Sequence, residues 1–527
     1  MKKKANSSSE TEEKKTDSVP NPVLQKDFIS WAGAGFITKA LGYIRDAAIA
    51  AAFGGGALTD AYYAAFRIIN LFRRTLGEGG LNAVFIPGYA VERNKGGAYA
   101  EEFAKRFWTA SLAGSLIAVT AGILFCRQLT FLTAAGFRSA PEYFTFTALL
   151  TAVFAPHFLF VNVSAYFTAL LNSAGRFFLP AISQAFFSFA VIAVLALYFC
   201  GAFSGIPPKK ILLITAAAAS ASGIVQAIIL LPSLKKEKFS LHTVPLKDAM
   251  RVFPLVLSSL PATAVLEQYQ ISLVLDTMFA SFLPEGSITA LYNSSRLIQF
   301  PVSLFAAAAA ATALPFLARF AAEKNSTAYN AHLYRAIFTS QIMLLPAAFG
   351  LAALSSPICA LLFEHGNFTP EQTAITARTL FYSCIGLPAF GLNKVLASAL
   401  YAAGKAKIPA AVISSQLLLN AALCFALMRP LGAAGIMLAT SASSAAAAAA
   451  FLIIMYKRTG LNIMNISLAK ILFCAAFAGG GALLLSFCFE SSWAPVIAGI
   501  PAAAALYFFT LSYLNVSERK LIAGRFL

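Results

Sequence analysis

Seven basic side chains, Lys39, Arg45, Arg67, Arg73, Arg74, Arg296 and Lys394, fall inside stretches otherwise apolar enough to sit in lipid. Each costs roughly 2.5–3.5 kcal/mol at membrane depth on insertion scales, so several together need compensation. They can pair with acids, reach an interface, or line a watered cavity that receives an anion. The acids available for pairing are Asp46, Asp60, Glu78, Glu267 and Asp276. Arg45 and Asp46 are adjacent, and neighbours on a helix point about 100° apart, so they are not expected to face each other. Arg67 and Arg74, seven apart, share a helix face, while Arg73 points away from it. Arg73 and Arg74 could also snorkel from a helix end, and Lys39 and Lys394 could act as interfacial anchors. Arg45 and Arg296 lie deeper in their spans and favour a central, water-accessible cationic cavity. Such a cavity selects an anion, and the planar two-pronged guanidinium suits diphosphate better than carboxylate.

The elements that must hold these groups are membrane helices. Of the 527 residues 59% are hydrophobic and only 12% charged, where soluble proteins carry about a quarter charged. Apolar runs long enough to cross about 30 Å of hydrocarbon recur along the chain, too long and too uniform for strands of a lipid-embedded barrel. The expected spans are 28–53, 58–76, 107–124, 143–171, 178–200, 211–232, 252–283, 288–318, 336–363, 374–401, 408–428, 432–456, 469–487 and 493–514. The fold class is therefore an all-α integral membrane protein of about fourteen transmembrane helices. Residues 1–27 begin polar and charged and read as a disordered tail, not a signal peptide. No soluble domain is left over, which argues against a receptor or a tethered enzyme.

Loop charge sets orientation, since basic loops prefer the cytoplasm. Numbering loops alternately from an inside N-terminus leaves only Arg127, Arg138, Lys209, Lys210, Arg378 and Arg429 outside. Both termini are thus expected on the cytoplasmic face of a bacterial inner membrane. The net charge of +18 then serves topology and anionic headgroups, with membrane lipids as partners and nucleic acid excluded. Cysteines and histidines show no metal-ligand spacing. A membrane phosphotransferase would need clustered Asp around Mg²⁺, and no D-D or D-x-x-D cluster occurs. A cationic-drug exporter would want an acidic cavity.

The segment ITKALGYIRDAAIAAAFGGGALTDAYYAAFRIINLFRRTLGEGGLNAVFIP, residues 37–87, resembles the signature of the MurJ/MviN lipid II flippases. Further matches are LNSAGRFFLP at 171–180, SLVLDTMFASFL at 272–283, YNSSRLIQFP at 292–301 and a block at 361–396. The resemblance implies the MOP exporter superfamily fold: two six-helix lobes around a central cavity, 28–232 and 233–456, with two added C-terminal helices in 457–527 forming a groove for a polyprenyl tail. It implies transport of lipid II, the undecaprenyl-diphosphate-linked peptidoglycan precursor, by alternating access, by a monomer that serves cell-wall biogenesis and cell shape alongside the cell-wall synthesis machinery. A flippase for another polyprenyl-diphosphate glycan and a MATE-like exporter are the alternatives on the same architecture.

Carried over by position, the resemblance assigns substrate binding to Lys39, Arg45, Arg73 and Arg296, and supporting or gating roles to Asp46, Asp60, Arg74 and Glu78. Lys39 stands in for an arginine and lacks the fork; Ser295 stands where many members have Asp; Ile69 replaces a proline. No organic cofactor is implied. A sodium site is implied at Asp276, Gln416, Asn420 and Thr440, residues that equally suit a hydrogen-bonded network between helices.

Overall fold

The computed structural model describes residues 22–75, 80–237, 239–257, 268–463, 466–489 and 493–514. Glu78 and Glu267 lie outside the described residues. The described residues are helical with short connections and contain no strand. Eleven of their helices are long and apolar enough to cross a membrane. The expected spans 28–53, 58–76 and 252–283 are not among the eleven. They are helical where described, and these stretches carry Lys39, Arg45, Asp46, Asp60, Arg67 and Asp276, which lower their mean hydropathy. Ala57–Phe72 is also short, at 16 residues, and the expected span 252–283 includes residues 258–267, which lie outside the described residues.

Several expected boundaries shift. The span expected at 107–124 begins earlier, at Gly97. The span expected at 336–363 is two helices, Ser326–Ala353 and Ser355–Phe363. The one at 288–318 runs from Ser287 to Ala322 through a π-type turn at 302–306, just after Pro301. Proline withholds a backbone donor and crowds the preceding turn, which explains the loosened winding there. Ile69, in contrast, keeps Ala57–Phe72 unbroken. Thr369 starts Pro370–Ala402 with a reciprocal cap, its hydroxyl accepting from Gln372 N while Gln372 Oε1 accepts from Thr369 N.

The inside and outside of the molecule are chemically inverted relative to a soluble protein. Phe36, Ile117, Leu124, Leu418, Phe425 and Phe487 are exposed, whereas Arg45, Asp46, Asp60, Arg67 and Asp276 are buried. An apolar exterior of this kind suits hydrocarbon as solvent. Helices pack mainly within 22–236 and within 268–459, and Ile466–Phe487 and Trp493–Tyr513 join the second group beside Ser326–Ala353. The seam between the two groups is made by Ala57–Phe72 and Cys126–Ala134 against Gln268–Ala280 and Ser287–Pro301. One apolar core crosses it, combining Ile49, Tyr62 and Phe154 with Leu291, Cys424 and Met437.

Candidate functional site

The seam opens into a cavity where the charged side chains collect. Asp46, 1% exposed, accepts from two arginines at once. Arg45 Nε and Nη2 donate to its Oδ1 at 2.8 and 2.5 Å, and Arg296 Nε donates to its Oδ2 at 2.9 Å. The expectation that Arg45 and Asp46 would not face each other is thus overturned. Their Cβ directions do diverge, but a guanidinium on three methylenes is long enough to fold back to its neighbour. Gly42 gives Arg296 its place, since a Cβ there would come 3.2 Å from Arg296 Nη2. Arg296 therefore finds a carboxylate across the seam; Ser295 instead caps Leu291 O within its own helix.

Aromatic rings complete the setting. Tyr292 accepts from Arg45 Nη2 at 3.2 Å, and its ring lies 5.2 Å from the Arg67 guanidinium and 5.8 Å from that of Arg296. Phe187 faces Arg45 at 5.1 Å. Ring faces stabilise cations where water is scarce. Arg67, 4% exposed, donates from Nε to Thr277 Oγ1 at 3.3 Å. Arg73 donates to Asn70 Oδ1 at 2.8 Å through Nη2, and Asn70 Nδ2 donates in turn to Gln270 Oε1 at 3.2 Å across the seam.

Three connected spaces adjoin these groups. An arginine chamber of about 240 Å³ is lined by Arg45, Arg67, Arg73, Arg74, Arg296 and Lys39, with His157, Gln184 and Gln226 on its other wall. A second chamber of about 410 Å³ shares Lys39, Arg74, Arg296 and Gln299 with it and adds Lys394. An apolar groove of about 700 Å³ runs between the first helix and the C-terminal pair, lined by Phe36, Met343, Leu354, Ala478, Ala503 and Tyr507. Lys39 borders all three. Its Nζ donates to Ser303 Oγ at 2.8 Å and stands 5.7 Å from the Phe300 ring.

Of the residues assigned to substrate, Lys39, Arg45, Arg73 and Arg296 are thus brought together, and Arg74 joins them on the chamber wall. Lys394 lines the second chamber. Glu78 lies outside the described residues. Arg67 had no assigned role; its spacing from Arg74 on one helix face was the available signal.

Asp60 lies elsewhere, buried at the end of the seam beside the 54–56 turn. Its carboxylate accepts from Gly286 N and Thr289 N, each at 2.7 Å, and from Thr289 Oγ1 at 2.6 Å. It thereby caps the start of Ser287–Pro301 from the opposite half, where unpaired N–H groups and the helix dipole favour a carboxylate. Around it Gly55 N donates to Gln372 Oε1 at 2.8 Å and Asn367 N to Ala51 O at 2.9 Å. Gly286, at φ +88°, packs so closely that a Cβ would come 2.2 Å from Gly55 O.

Three of the residues assigned to sodium meet. Asn420 Nδ2 donates to Asp276 Oδ1 at 2.9 Å, and Thr440 Oγ1 lies 3.0 Å from Asp276 Oδ2 and 3.2 Å from Asn420 Oδ1. Gln416, one turn away, donates to Ser444 Oγ at 2.9 Å, and Gln416 and Thr440 both line the second chamber.

Comparison with known proteins agrees with this geometry. The profile of the family described as "Lipid II flippase MurJ" matches residues 49–500. A curated relative from Rhizobium tropici, named a probable lipid II flippase MurJ, is 30% identical over 486 residues, covering 90% of this chain and 88% of its own. The fold is similar to a solved structure of lipid II flippase MurJ in an inward closed conformation, with TM-score 0.78 at 24% identity, over 94% of this chain and all of that one. It is also similar to an inward-facing multidrug resistance MATE family transporter of the MOP superfamily, with TM-score 0.64 at 16% identity, over 82% of this chain and 98% of that one. With the family profile spanning most of its length, this multi-span membrane protein belongs to the lipid II flippase MurJ family.

Proposed function

We propose that this protein carries lipid II, a polyprenyl-diphosphate-linked precursor of peptidoglycan, from the inner to the outer leaflet of the bacterial cytoplasmic membrane. The carrying observation is the junction at Lys39, where a chamber walled by five arginines meets an apolar groove. An amphiphile with a diphosphate between a polar head and a long hydrocarbon tail fits that junction part for part. Arg45, Arg73 and Arg296 take the phosphates through paired N–H donors. Asp46 holds Arg45 and Arg296 in register until the anion arrives, and Lys39 stands at the mouth where tail and diphosphate meet.

Transport proceeds by alternating access, with the halves parting first on one side of the chamber and then on the other. Asp60 and its neighbours form the contact that must release on the outer side. Both termini face the cytoplasm, which the basic loops favour. The working unit of this proposal is a single chain. Single substitution of Arg45, Arg73 or Arg296 by Ala is expected to abolish exposure of lipid II at the outer leaflet. Undiminished exposure in all three, at normal expression, overturns the reading.

A sodium ion at Asp276, Asn420 and Thr440 is part of the proposal. Supporting it, one carboxylate, one amide oxygen and one hydroxyl oxygen converge in a fully buried pocket, a donor set that a hard monovalent cation accepts. The expected result is a thermal midpoint raised by sodium over potassium in the intact protein, with the difference lost in Asp276→Asn. Equal midpoints in both salts leave the cluster a polar network only.

A further inference from the structure

Arg67 lines the arginine chamber without a task in the transport reading, and it touches more than the chamber. It sits on Ala57–Phe72, is 4% exposed, and shares the chamber wall with Arg45, Arg73 and Arg296. Its Nε crosses the seam to donate to Thr277 Oγ1 at 3.3 Å. Thr277 donates its own hydroxyl proton to Leu273 O at 2.6 Å, so the oxygen it turns to Arg67 is an acceptor. The residue before it is Asp276, whose carboxylate attracts the Arg67 guanidinium and accepts from Asn420 and Thr440.

We propose that Arg67 links the anion chamber to the cation cluster at Asp276, so that each binds its ligand more tightly when the other is filled. The inference rests on the lipid II and sodium readings and adds the connection between them. Three observations carry it. One side chain belongs to both places, since the guanidinium lies on the chamber wall while its Nε is held beside Asp276. Asp276 and Thr277 both sit on Gln268–Ala280, a helix bonded to the second half through Asn420 and Thr440 and to the first half through Arg67. Ser272 and Thr440, which meet Asn420 in the cluster, also line the second chamber, which gives a cation its approach.

The sign follows from charge. Without a cation at Asp276, its carboxylate competes with an incoming diphosphate for the same guanidinium. A bound cation cancels that attraction, and Arg67 then turns its remaining N–H groups to the phosphate oxygens. Linkage is reciprocal, so the diphosphate tightens cation binding by the same factor. Arg67 keeps its charge throughout, because a guanidinium does not lose its proton in proteins.

The test measures undecaprenyl diphosphate binding to the full chain in nanodiscs, in sodium and in potassium at equal ionic strength, with the thermal midpoint read in parallel. The unsubstituted protein is expected to bind this lipid roughly tenfold more tightly in sodium, within the usual range for two linked sites. Arg67→Gln is expected to bind it within about twofold in the two salts, while sodium still raises the midpoint. Thr277→Val keeps the charge but removes the accepting oxygen, and is expected to lower the ratio to about threefold. A ratio that stays near tenfold in Arg67→Gln overturns the link, as does an unsubstituted protein that sodium stabilises but that binds the lipid equally in both salts. Should Arg67→Gln fail to fold, an unchanged ratio in Thr277→Val overturns it instead. No rise in midpoint with sodium in the unsubstituted protein overturns the sodium reading, and no lipid binding in either salt overturns the lipid II reading; the link falls with either.

Discussion

The halves of the molecule touch along a seam, and two of its contacts differ in kind. Beside the 54–56 turn, most contacts involve the backbone: Asp60 to Gly286 N and Thr289 N, Gln372 to Gly55, Asn367 to Ala51, with Thr289 Oγ1 adding one side-chain bond to Asp60. At the other side of the arginine chamber, Asn70 meets Gln270 through their amide side chains. Backbone contacts at glycine spacing tolerate almost no displacement, whereas two amides on flexible stems can part and re-form. The first contact behaves as a latch with one closed geometry, and the second as a clasp that gives way to a substrate entering from that side.

That contrast can be broken most severely at Gly286. A Cβ in its left-handed conformation, pressed on Gly55 O, would cost about 3 kcal/mol, on the order of a hundredfold in the closed population. Gly286→Ala is expected to lose transport and to raise labelling, by an impermeant thiol reagent outside, of a Gln299→Cys chamber probe in a background without native cysteines. Unchanged labelling would show that the latch closes without this close approach. Asp60→Asn comes next. The amide keeps an acceptor for Thr289 but turns a donor towards Gly286 N, leaving a buried clash worth about 1–3 kcal/mol and roughly tenfold in the same labelling. Smallest is Asn70→Ala, which removes one neutral hydrogen bond across the seam, about 1 kcal/mol. It is expected to alter transport by only a few-fold, and a loss as large as that of Asp60→Asn would erase the distinction between latch and clasp.

Much of this arrangement is legible in the chain itself, and the exceptions have identifiable causes. Long apolar runs announce helices because lipid admits little else, and arginines within them announce a need for compensation that an anion in a watered cavity can meet. The Arg45–Asp46 pair escapes such reasoning because helix geometry fixes where Cβ points but not how far three methylenes reach. Asp60 escapes it because its partners, Gly286 and Thr289, are more than two hundred residues away and offer backbone N–H groups, which carry no residue signature. Arg67 reads as one more cation in an aromatic helix until Tyr292 and Thr277 are seen beside it. Gln416 and Asn420 share a helix face, as their spacing requires, yet one turn is enough to send them to different neighbours, Ser444 and Asp276.

The shared carboxylate of Asp46 has a consequence for the journey made without cargo. After release, two guanidiniums left bare would carry two charges through the electric field on the way back, and each is worth roughly 2.3 kcal/mol per 100 mV. With Asp46 seated between Arg45 and Arg296, that trio resets with one net charge. The voltage then bears less on the empty stroke, so the rate at which an unloaded carrier becomes ready again depends on an acid that is expected never to touch the lipid.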